Sequence, residues 1–401
     1  MTTTPAQQPP LIYLVAGEAS GDVLGGQLMQ ALKEKLGGRV RFAGVGGSRM
    51  TEEGLKSLFP MRELSLMGFV EIIPHIPKLL RRIRQTANDA KRVRPDVVIT
   101  IDSPDFNFRV GRRLAGSGIP LIHYVGPSVW AYRAGRAADI ARFLDHLLVL
   151  FPFEPPYFES VGLPTTFIGH PLVEANLDQA DAASLLAEES VPADAEILTV
   201  LPGSRTGEIS RHLALFGDAV HLLAKQHPRL TVLVPAAPGI ADLIRQGTAS
   251  WSVPVRILEG VDRKYAAFAA SRAALAVSGT VTLELAIAGV PMVVAYRANP
   301  LTVAIARRIV RTPYISLGNL VLGEAVAPEL IQEQASAQEL AKAIDQLMVD
   351  GPERRRQLDA WHNFSDRLTA SGKNPSQRAA DVVIQLITNR NRDPQGDTAN
   401  D

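Results

Sequence analysis

The sequence predicts an α/β protein of two Rossmann-like domains, each a doubly wound parallel sheet, that face each other across a cleft. Short apolar segments alternate with longer segments of helical periodicity, which is typical of a sheet covered by helices on both faces. These segments are apolar throughout instead of at every second residue, as buried parallel strands require. A length of 401 residues also fits two domains better than one core.

The apolar segments mark the predicted strands and form two series. The first series is 11–17, 41–46, 97–102, 121–126, 146–152 and 165–170, and the second is 197–203, 230–236, 255–260, 273–279 and 292–297. An acidic, alanine-rich segment at 172–196 separates them. One large sheet with a long insertion is the alternative, but the even division of the chain favours two domains.

Composition and charge exclude several classes of protein. The absence of cysteine excludes disulfides, thiolate catalysis and Cys-based zinc sites, and it fits a reducing compartment. The first ten residues lack the basic and apolar regions of a secretory signal, and no apolar run reaches the ~18 residues of a spanning helix. A net charge of +1 argues against nucleic-acid binding by the whole chain. We therefore expect a cytoplasmic protein.

A glycine-rich loop, Gly17-Glu18-Ala19-Ser20-Gly21-Asp22, follows the first strand. Its glycines permit a tight turn and a close approach to a ligand, and a helix N-terminus attracts anionic or polar groups. The GxGxxG fingerprint of dehydrogenases is absent. The loop is either an ordinary βα turn or a substrate-binding loop, and in the second case Glu18, Ser20 and Asp22 are the candidate contacts.

The third predicted strand ends in Ile101-Asp102-Ser103-Pro104-Asp105-Phe106-Asn107. A carboxylate at the carboxyl end of a strand can accept a proton from an attacking hydroxyl, as an inverting sugar transfer requires. We prefer Asp102 as this base because it follows the strand directly, whereas Asp105 is better placed to cap a helix. The alternative is that Asp102 is itself a turn or capping residue.

Polar and aromatic residues alternate in the segment His123-Tyr124-Val125-Gly126-Pro127-Ser128-Val129-Trp130-Ala131-Tyr132-Arg133. Such a cluster at the end of a strand suits recognition of a sugar or an acylated sugar phosphate. The alternatives are that His123 is a hydrogen-bonded core histidine and that Trp130 only packs.

Two loops of the second domain suit a nucleoside diphosphate. In Leu201-Pro202-Gly203-Ser204-Arg205-Thr206-Gly207-Glu208, backbone amides, the Ser204 hydroxyl and the Arg205 guanidinium converge at a helix start. We expect Arg205 to neutralise the departing diphosphate, in preference to a solvated surface arginine. Ser278-Gly279-Thr280 begins a further helix, where we expect Ser278 or Thr280 to cap and Glu284 to accept bonds from ribose hydroxyls.

Motifs of metal-dependent nucleotide binding are absent. The sequence contains no Walker A motif, no HExxH, no EF-hand loop and no DxD pair. We therefore expect no metal and no cofactor, with the helix N-termini and Arg205 holding the nucleotide.

An apolar and basic segment at 64–84 suits interfacial binding to anionic lipid. The segment from Lys78 to Arg94 contains seven basic residues and one acidic residue, Asp89. Pro74 and Pro77 would limit the helix to a shorter wedge. On this segment alone, an amphipathic helix packed on the sheet with a solvated basic face is slightly favoured. The lipid substrate that the motif resemblance implies favours the membrane instead. The predicted membrane-facing residues are Met67, Phe69, Val70, Ile72, Ile73, Ile76, Leu79, Leu80, Arg81 and Arg82.

Taken in order, the motifs resemble those of the lipid-A-disaccharide synthase family, glycosyltransferase family 19, from about residue 11 to 385. They are Gly-Glu-Ala-Ser-Gly-Asp (17–22), Met-Gly-Phe-Val-Glu (67–71), Ile-Asp-Ser-Pro-Asp-Phe-Asn (101–107), Tyr-Val-Gly-Pro-Ser-Val-Trp-Ala (124–131), Phe-Pro-Phe-Glu (151–154), Gly-His-Pro-Leu (169–172), Leu-Pro-Gly-Ser-Arg (201–205), Ser-Gly-Thr (278–280) and Gly-Asn-Leu (318–320).

The resemblance implies a GT-B fold and an inverting, metal-independent reaction. UDP-2,3-diacylglucosamine would donate its sugar to the 6-hydroxyl of 2,3-diacylglucosamine 1-phosphate, giving a β-1,6 disaccharide and UDP for lipopolysaccharide synthesis. By position, Asp102 matches the base, Arg205 the diphosphate-binding arginine, Asn319 an asparagine important for activity and Glu284 a nucleotide contact. Residues 67–84 match a membrane-associating element.

The resemblance also implies the roles of the domains and a location. Residues 11–175 would form the acceptor and membrane-facing domain and 190–348 the UDP-sugar-binding domain, while helices within 349–386 would cross back to the first domain. Residues 1–10 and 388–401 are predicted to be disordered tails. The protein would be cytoplasmic and peripheral on the inner face of the inner membrane, with anionic lipid as a partner. The oligomeric state is left undecided, with a homodimer as one possibility.

The chain departs from the family pattern at four positions. Gly126, Tyr132, Gly207 and Gly318 stand where the family has Cys, Trp, Ser and Pro. None of these changes removes a proposed catalytic group. Gly318 is expected to make the loop that presents Asn319 more flexible.

Two other functions share these features. A UDP-sugar 2-epimerase has the same architecture and nucleotide site but no need of a membrane-binding element. A peripheral membrane-binding protein could keep the fold without turnover, and replacement of Asp102 would distinguish it from a transferase.

Overall fold

The computed structural model describes residues 8–64, 76–131, 135–175, 177, 180–299, 303, 308, 310, 312–362, 364–370 and 372–392. The chain divides into two compact units, one of 1–171 with 369–401 and one of 172–368. Residues 349–368 therefore belong to the second unit, and the chain returns to the first unit from residue 369.

The described part of the first unit contains a six-stranded, all-parallel sheet in the order β2-β1-β3-β4-β5-β6. The strands are β1 Leu11–Ala16, β2 Arg41–Val45, β3 Val97–Ile101, β4 Leu121–Tyr124, β5 His146–Val149 and β6 Thr165–Phe167. Because β1 pairs with both β2 and β3, the strand order reverses between β1 and β3. Such a reversal leaves a crevice beyond the carboxyl ends of these strands, where ligands bind in doubly wound sheets.

The second unit repeats this design with a different strand order. Its six described strands are parallel in the order β12-β11-β10-β7-β8-β9, so the order reverses between β7 and β10. These strands are β7 Glu196–Leu201, β8 Leu230–Ala236, β9 Val255–Glu259, β10 Ala273–Val277, β11 Met292–Tyr296 and β12 Glu329–Ile331.

Helices connect the strands and cover both sheets. In chain order those of the described residues are α1 Ala19–Lys35, α2 Ser48–Glu52, α3 Ile76–Val93, α4 Pro104–Leu114, α5 Gly135–Ala141, α6 Pro155–Glu159, α7 Ala182–Glu188, α8 Thr206–Ala224, α9 Ala241–Thr248, α10 Val261–Ala270, α11 Val281–Ile287, α12 Leu317–Leu322, α13 Ala337–Met348, α14 Pro352–His362, α15 Phe364–Leu368 and α16 Pro375–Arg392. Short 3₁₀ helices lie at Met61–Glu63, Pro171–Ala175 and Gln332–Gln334.

The central strands are buried on both faces, which explains their uninterrupted apolar sequence. Along β1, Ile12 and Leu14 pack into one apolar layer while Tyr13 and Val15 pack into the layer on the opposite face. The prediction of two doubly wound parallel sheets is confirmed. Apart from 230–236, which matches β8, the predicted strands extend too far at their carboxyl ends, because those residues form the loops that follow the strands.

The final helix, α16, completes the core of the first unit. Its Ala379, Ala380 and Val383 are fully buried in the layer that also contains residues of α1. Lys35 of α1 forms an ion pair of 2.7 Å with Asp381 at the edge of this contact.

Candidate active site

A cavity of about 540 Å³ lies in the second unit at the carboxyl ends of its central strands. It lies at the point where the strand order reverses, because the loops after β7 and β10 both line it. Its volume is within the range of small-molecule sites. The residues that line it include Gly203, Ser204, Arg205, Glu208, Pro235, Gly260, Lys264, Ser278, Gly279, Thr280 and Glu284.

The loop after β7 brings a helix N-terminus and an arginine to this cavity. Gly203 has φ of +118°, and a Cβ there would lie 2.9 Å from the Cβ of Glu208, so the turn requires glycine. Arg205 is the residue before α8, and its side chain is 83% exposed, with Nη1 3.2 Å from Glu208 Oε1. The amides at the start of this 19-residue helix and the guanidinium together favour a bound anion.

In the loop after β10, neither Ser278 nor Thr280 caps the following helix as predicted. Thr280 precedes α11 with helical backbone angles (φ −59°, ψ −26°), and its side chain makes no capping bond. A capping residue needs an extended backbone to direct its oxygen at the helix amides. The Ser278 hydroxyl instead donates to the carbonyl of Ile315 at 2.7 Å. The prediction that Ser278 or Thr280 caps this helix is wrong.

Glu284 and Lys264 form an ion pair in the wall of the cavity. Lys264 Nζ lies 2.7 Å from Glu284 Oε2, and both side chains are largely buried. Sequence reasoning missed Lys264. The signal was a basic residue in the first turn of α10, the helix that begins directly after Gly260, whose φ is +104°.

In the first unit, Asp102 lies just beyond β3 in a strained turn. Asp102 and Ser103 have φ of 51° and 42°, a left-handed conformation that costs non-glycine residues roughly 1–2 kcal/mol each. Asn107 Nδ2 holds this turn by donating to the carbonyls of Ile101 at 3.0 Å and Asp102 at 2.7 Å. Strain that neighbouring bonds maintain is common at functional sites.

The glycine-rich loop after β1 lies against this turn. Ser20 Oγ donates to Asp102 Oδ2 at 2.8 Å, and Ser103 Oγ donates to Glu18 Oε1 at 3.2 Å. A Cβ at Gly17 would lie 2.6 Å from Ser103 Oγ, so glycine permits the approach. The structure thus brings together Glu18, Ser20 and Asp102, three of the candidate site residues, at the reversal between β1 and β3.

Asp22 lies near these residues but belongs to the scaffold. Its buried carboxylate accepts hydrogen bonds from the backbone amides of Gly47 at 2.7 Å, Arg49 at 3.0 Å and Met50 at 3.1 Å. These amides begin α2, so Asp22 ties that helix to α1. A carboxylate engaged by three amides is not offered to a substrate, and the substrate-contact prediction for Asp22 is replaced by this structural role.

Replacing Asp22 with alanine is expected to lower the free energy of unfolding by about 2–4 kcal/mol, because three amides lose a charged acceptor. Urea denaturation followed by circular dichroism measures this. Asp381→Ala, which removes a half-exposed carboxylate from the same unit, should change it by less than about 1 kcal/mol. Unchanged stability of Asp22→Ala combined with a large rise in substrate KM would contradict the structural role.

Asn319 is also a scaffold residue, although it was predicted to be catalytic. Its side chain is fully buried and makes four hydrogen bonds. Oδ1 accepts from the amides of Val326 at 3.0 Å and Ala327 at 2.9 Å, and Nδ2 donates to the Ala327 carbonyl and to Glu329 Oε1, both at 2.9 Å. This is the full capacity of a carboxamide, so contact with a substrate would break an existing bond.

Gly318, expected to loosen the loop that presents Asn319, lies inside α12. A Cβ there would approach Trp361 Cη2 to 3.0 Å. The glycine therefore permits close packing of Trp361, and Asn319 lies in this helix and not in the expected loop. Tyr132 lies outside the described residues.

The segment 123–133, which begins within β4, is mainly a packing element where the structure describes it. His123 is fully buried, its Nδ1 lies 2.8 Å from Thr100 Oγ1, and burial lowers its pKa to about 3, which keeps the ring neutral. Trp130 Nε1 donates to Glu154 Oε1 at 3.2 Å. Glu154 also accepts from two backbone amides, and burial raises its pKa to about 7.

The predicted membrane-facing residues divide into those outside the described residues, those on α3 and Arg82, which is bonded within the protein. Met67, Phe69, Val70, Ile72 and Ile73 lie outside the described residues. On α3, Ile76 and Leu80 are 42% and 37% exposed, Arg81 is exposed and Leu79 is half-buried. Residues 76 and 80 are one helical turn apart and share a face.

Arg82 is engaged within the protein. Its Nε donates to Glu63 Oε2 at 2.8 Å, and its guanidinium carbon lies 4.5 Å from the centre of the Phe59 ring. These contacts fasten α3 to the 3₁₀ helix Met61–Glu63. The geometry therefore replaces the predicted lipid contact of Arg82 with a structural one.

Two further findings concern the residues that the structure describes. No helix among them is long and apolar enough to cross a membrane. Within the same residues, no group of three or more His, Asp or Glu side chains is placed to hold a metal ion.

Comparison with known proteins identifies the relatives of this chain. The family model described as lipid-A-disaccharide synthetase matches residues 12–383. The chain belongs to the lipid-A-disaccharide synthetase family. It is 50% identical over 394 residues to a lipid-A-disaccharide synthase of Rhodospirillum centenum, covering 98% of both chains. It is 46% identical over 381 residues to one of Paramagnetospirillum magneticum, covering 94% of this chain and 97% of the other.

A solved structure places this member of the lipid-A-disaccharide synthetase family among known folds. MurG of Acinetobacter baumannii superposes with a TM-score of 0.57 at 13% identity, covering 94% of this chain and 100% of that one. At this identity the likeness shows the fold alone, which is GT-B. Both the family and the fold that the motif resemblance implied are confirmed.

Proposed function

We propose that this protein is a lipid-A-disaccharide synthase, which transfers 2,3-diacylglucosamine from UDP to the 6-hydroxyl of 2,3-diacylglucosamine 1-phosphate. The products are UDP and the β-1,6-linked disaccharide 1-phosphate. The observation that carries the proposal is the 50% identity to a lipid-A-disaccharide synthase over 98% of both chains.

The cavity of the second unit suits the UDP part of the donor. Arg205 and Lys264 bring positive charge to it, and the N-terminus of α8 adds the partial charge of its dipole. Ser204 and Ser278 supply hydroxyls, and the Glu284 carboxylate suits the ribose hydroxyls as an acceptor. We assign the diphosphate to the start of α8, because transfer leaves extra negative charge on the departing UDP and preorganised positive groups stabilise it.

Asp102 supplies the base for the acceptor. As the acceptor oxygen bonds to the anomeric carbon, the bond from that carbon to the diphosphate breaks and the hydroxyl proton passes to Asp102. The hydrogen bond from Ser20 to Oδ2 fixes the carboxylate, which leaves Oδ1 to accept the proton. Glu18, held by Ser103, lies beside it as a candidate contact for acceptor hydroxyls.

The proposed reaction uses no metal ion, since Arg205, Lys264 and the start of α8 supply the positive charge. Product formation from the two acylated substrates in the presence of EDTA tests both this and the reaction itself. We expect disaccharide 1-phosphate and UDP in equal amounts, measured by mass spectrometry and by UDP release. If folded wild-type protein forms no disaccharide, the proposal fails, and epimerisation of UDP-N-acetylglucosamine becomes the assay to run.

We further propose that α3 places the protein on the cytoplasmic face of the inner membrane, where both acylated substrates reside. Its exposed face combines Ile76 and Leu80 with Arg81 and Arg84. Apolar side chains beside arginines suit an anionic lipid surface.

The double substitution Ile76→Asp with Leu80→Asp is expected to weaken binding to phosphatidylglycerol vesicles about tenfold or more, because two apolar side chains are replaced by charges that anionic lipid repels. Vesicle co-sedimentation measures this, with neutral phosphatidylcholine vesicles as the reference. Val349→Asp changes a comparably exposed apolar residue of the second unit and should have no effect. Equal binding by the double variant and the wild type would refute the proposed role of α3.

A further inference from the structure

We infer that Glu329, paired with Asn319, is a positioning residue that holds one wall of the nucleotide cavity in place. Glu329 touches no residue that we assign to the substrates, and it acts through the backbone of residues 315–317. The inference rests on the proposed function, because it names a residue that supports the same UDP site.

The Glu329 carboxylate gathers three donors. Oε2 accepts from the amide of Ile315 at 2.8 Å, and Oε1 accepts from the amide of Ser316 at 2.9 Å and from Asn319 Nδ2 at 2.9 Å. Hydrogen bonds to a charged acceptor are stronger than neutral ones. This one side chain therefore fixes both the entry to α12 and the orientation of Asn319.

The direction of the Asn319 carboxamide follows from its other partners. Its Oδ1 accepts from the amides of Val326 and Ala327, so the NH₂ group must point to Glu329 and to the carbonyl of Ala327. Residue 329 must then present an acceptor towards Asn319. A carboxylate can accept this hydrogen bond from Asn319 and also the hydrogen bonds from the amides of Ile315 and Ser316.

Two hydrogen-bonded links run from this pair to the cavity. The carbonyl of Ile315 accepts the Ser278 hydroxyl at 2.7 Å. The amide of Leu317 donates to Thr282 Oγ1 at 3.2 Å, and the same hydroxyl donates to the carbonyl of Gly279 at 2.8 Å. Ser278 and Gly279 line the cavity, so the segment that Glu329 fixes is bonded directly to the cavity wall.

Loss of the carboxylate would leave nearby donors without an acceptor. Ser316 and Asn319 are buried, so water cannot readily replace Glu329 there. The segment 315–317 would then shift to find other partners, and Ser278 and Gly279 would move with it. The expected consequence is weaker binding of the nucleotide with unchanged recognition of the acceptor.

Reciprocal substitutions test the pairing. In Glu329→Gln, an NH₂ group faces at least one of the three donors, and in Asn319→Asp two carboxylates face each other. Each should raise the Kd of UDP and the KM of the UDP-sugar about tenfold or more, while the KM of the acceptor stays unchanged. In the double variant, the new carboxamide at position 329 can donate to the new carboxylate at position 319. UDP should therefore bind to the double variant more tightly than to Asn319→Asp alone, and the recovery stays partial because the carboxylate at position 319 still faces the Ala327 carbonyl.

UDP affinity is measured by titration calorimetry and stability by thermal denaturation, with Glu339→Gln, an exposed glutamate of the same unit, as the control. An unchanged Kd in Glu329→Gln, or a double variant whose losses multiply, would overturn the inference. Partial recovery in the double variant would support it even if the single variants lose stability. Wild-type protein that binds UDP but forms no disaccharide would contradict the proposed function alone, because UDP binding still tests the pairing.

Discussion

Asp102→Asn is expected to lower kcat for disaccharide formation about 10²- to 10⁴-fold, the range that a positioned general base contributes. Asparagine has nearly the same shape as aspartate, tolerates the left-handed backbone at this position and can still accept the bond from Ser20. The variant therefore removes the proton acceptor with little change in the turn. UDP affinity should be unchanged, because the cavity that we assign to UDP lies wholly in the second unit.

Steady-state assays of the variant beside Asp105→Asn measure this effect. Asp105 is three residues along the same motif, and its side chain is 94% exposed and pairs with Arg136 at 3.2 Å. The Asp105 variant should keep wild-type turnover to within a few-fold. Asp102→Asn with near-normal kcat would show that the base is another group.

Arg205→Ala is expected to lower kcat/KM for the UDP-sugar about 10²- to 10³-fold, the usual cost of removing one group that stabilises transition-state charge. The fold should tolerate it, because the side chain is 83% exposed and pairs only with neighbouring Glu208 among the described residues. Arg205→Lys should recover part of the loss, since lysine keeps the charge but not the forked geometry.

Kinetics at varied UDP-sugar and titration with UDP measure the two consequences. Arg245→Ala is the matched control, because Arg245 is an exposed arginine of the second unit that pairs with Asp242 away from the cavity. If Arg205→Ala and the control have the same kcat/KM, the diphosphate does not bind at the start of α8.

Much of the fold could be predicted because each central strand is buried on both faces. Segments such as 97–101 are apolar at nearly every position for that reason, and their sequence is sufficient to locate them. The short strand β12 escaped prediction because its three residues are all only partly buried and make no apolar run. The strand orders could not be predicted, since they depend on pairings such as β1 with β3 that lie more than 80 residues apart.

The candidate site was predictable where its residues come directly after a predicted strand. Asp102 and Arg205 both lie in loops at the carboxyl ends of strands, which is where doubly wound sheets bind ligands. Asp22 was predicted to contact a substrate from its place in a glycine-rich loop, and Asn319 was predicted to be catalytic from the motif resemblance. Neither ground reveals whether the side chain faces a ligand or the backbone. What distinguishes them is the set of amides that each one meets in the folded chain, and no sequence spacing reveals that set.

The contribution of α16 to the first unit has a consequence for synthesis on the ribosome. The core that begins with β1 also buries Ala379, Ala380 and Val383, so it stays incomplete until these residues have been synthesised. The second unit consists of one continuous segment, 172–368, and holds all its residues earlier. The unit whose strands are translated first is therefore the unit that can finish folding last, and its apolar layer stays open while the whole of the second unit is synthesised.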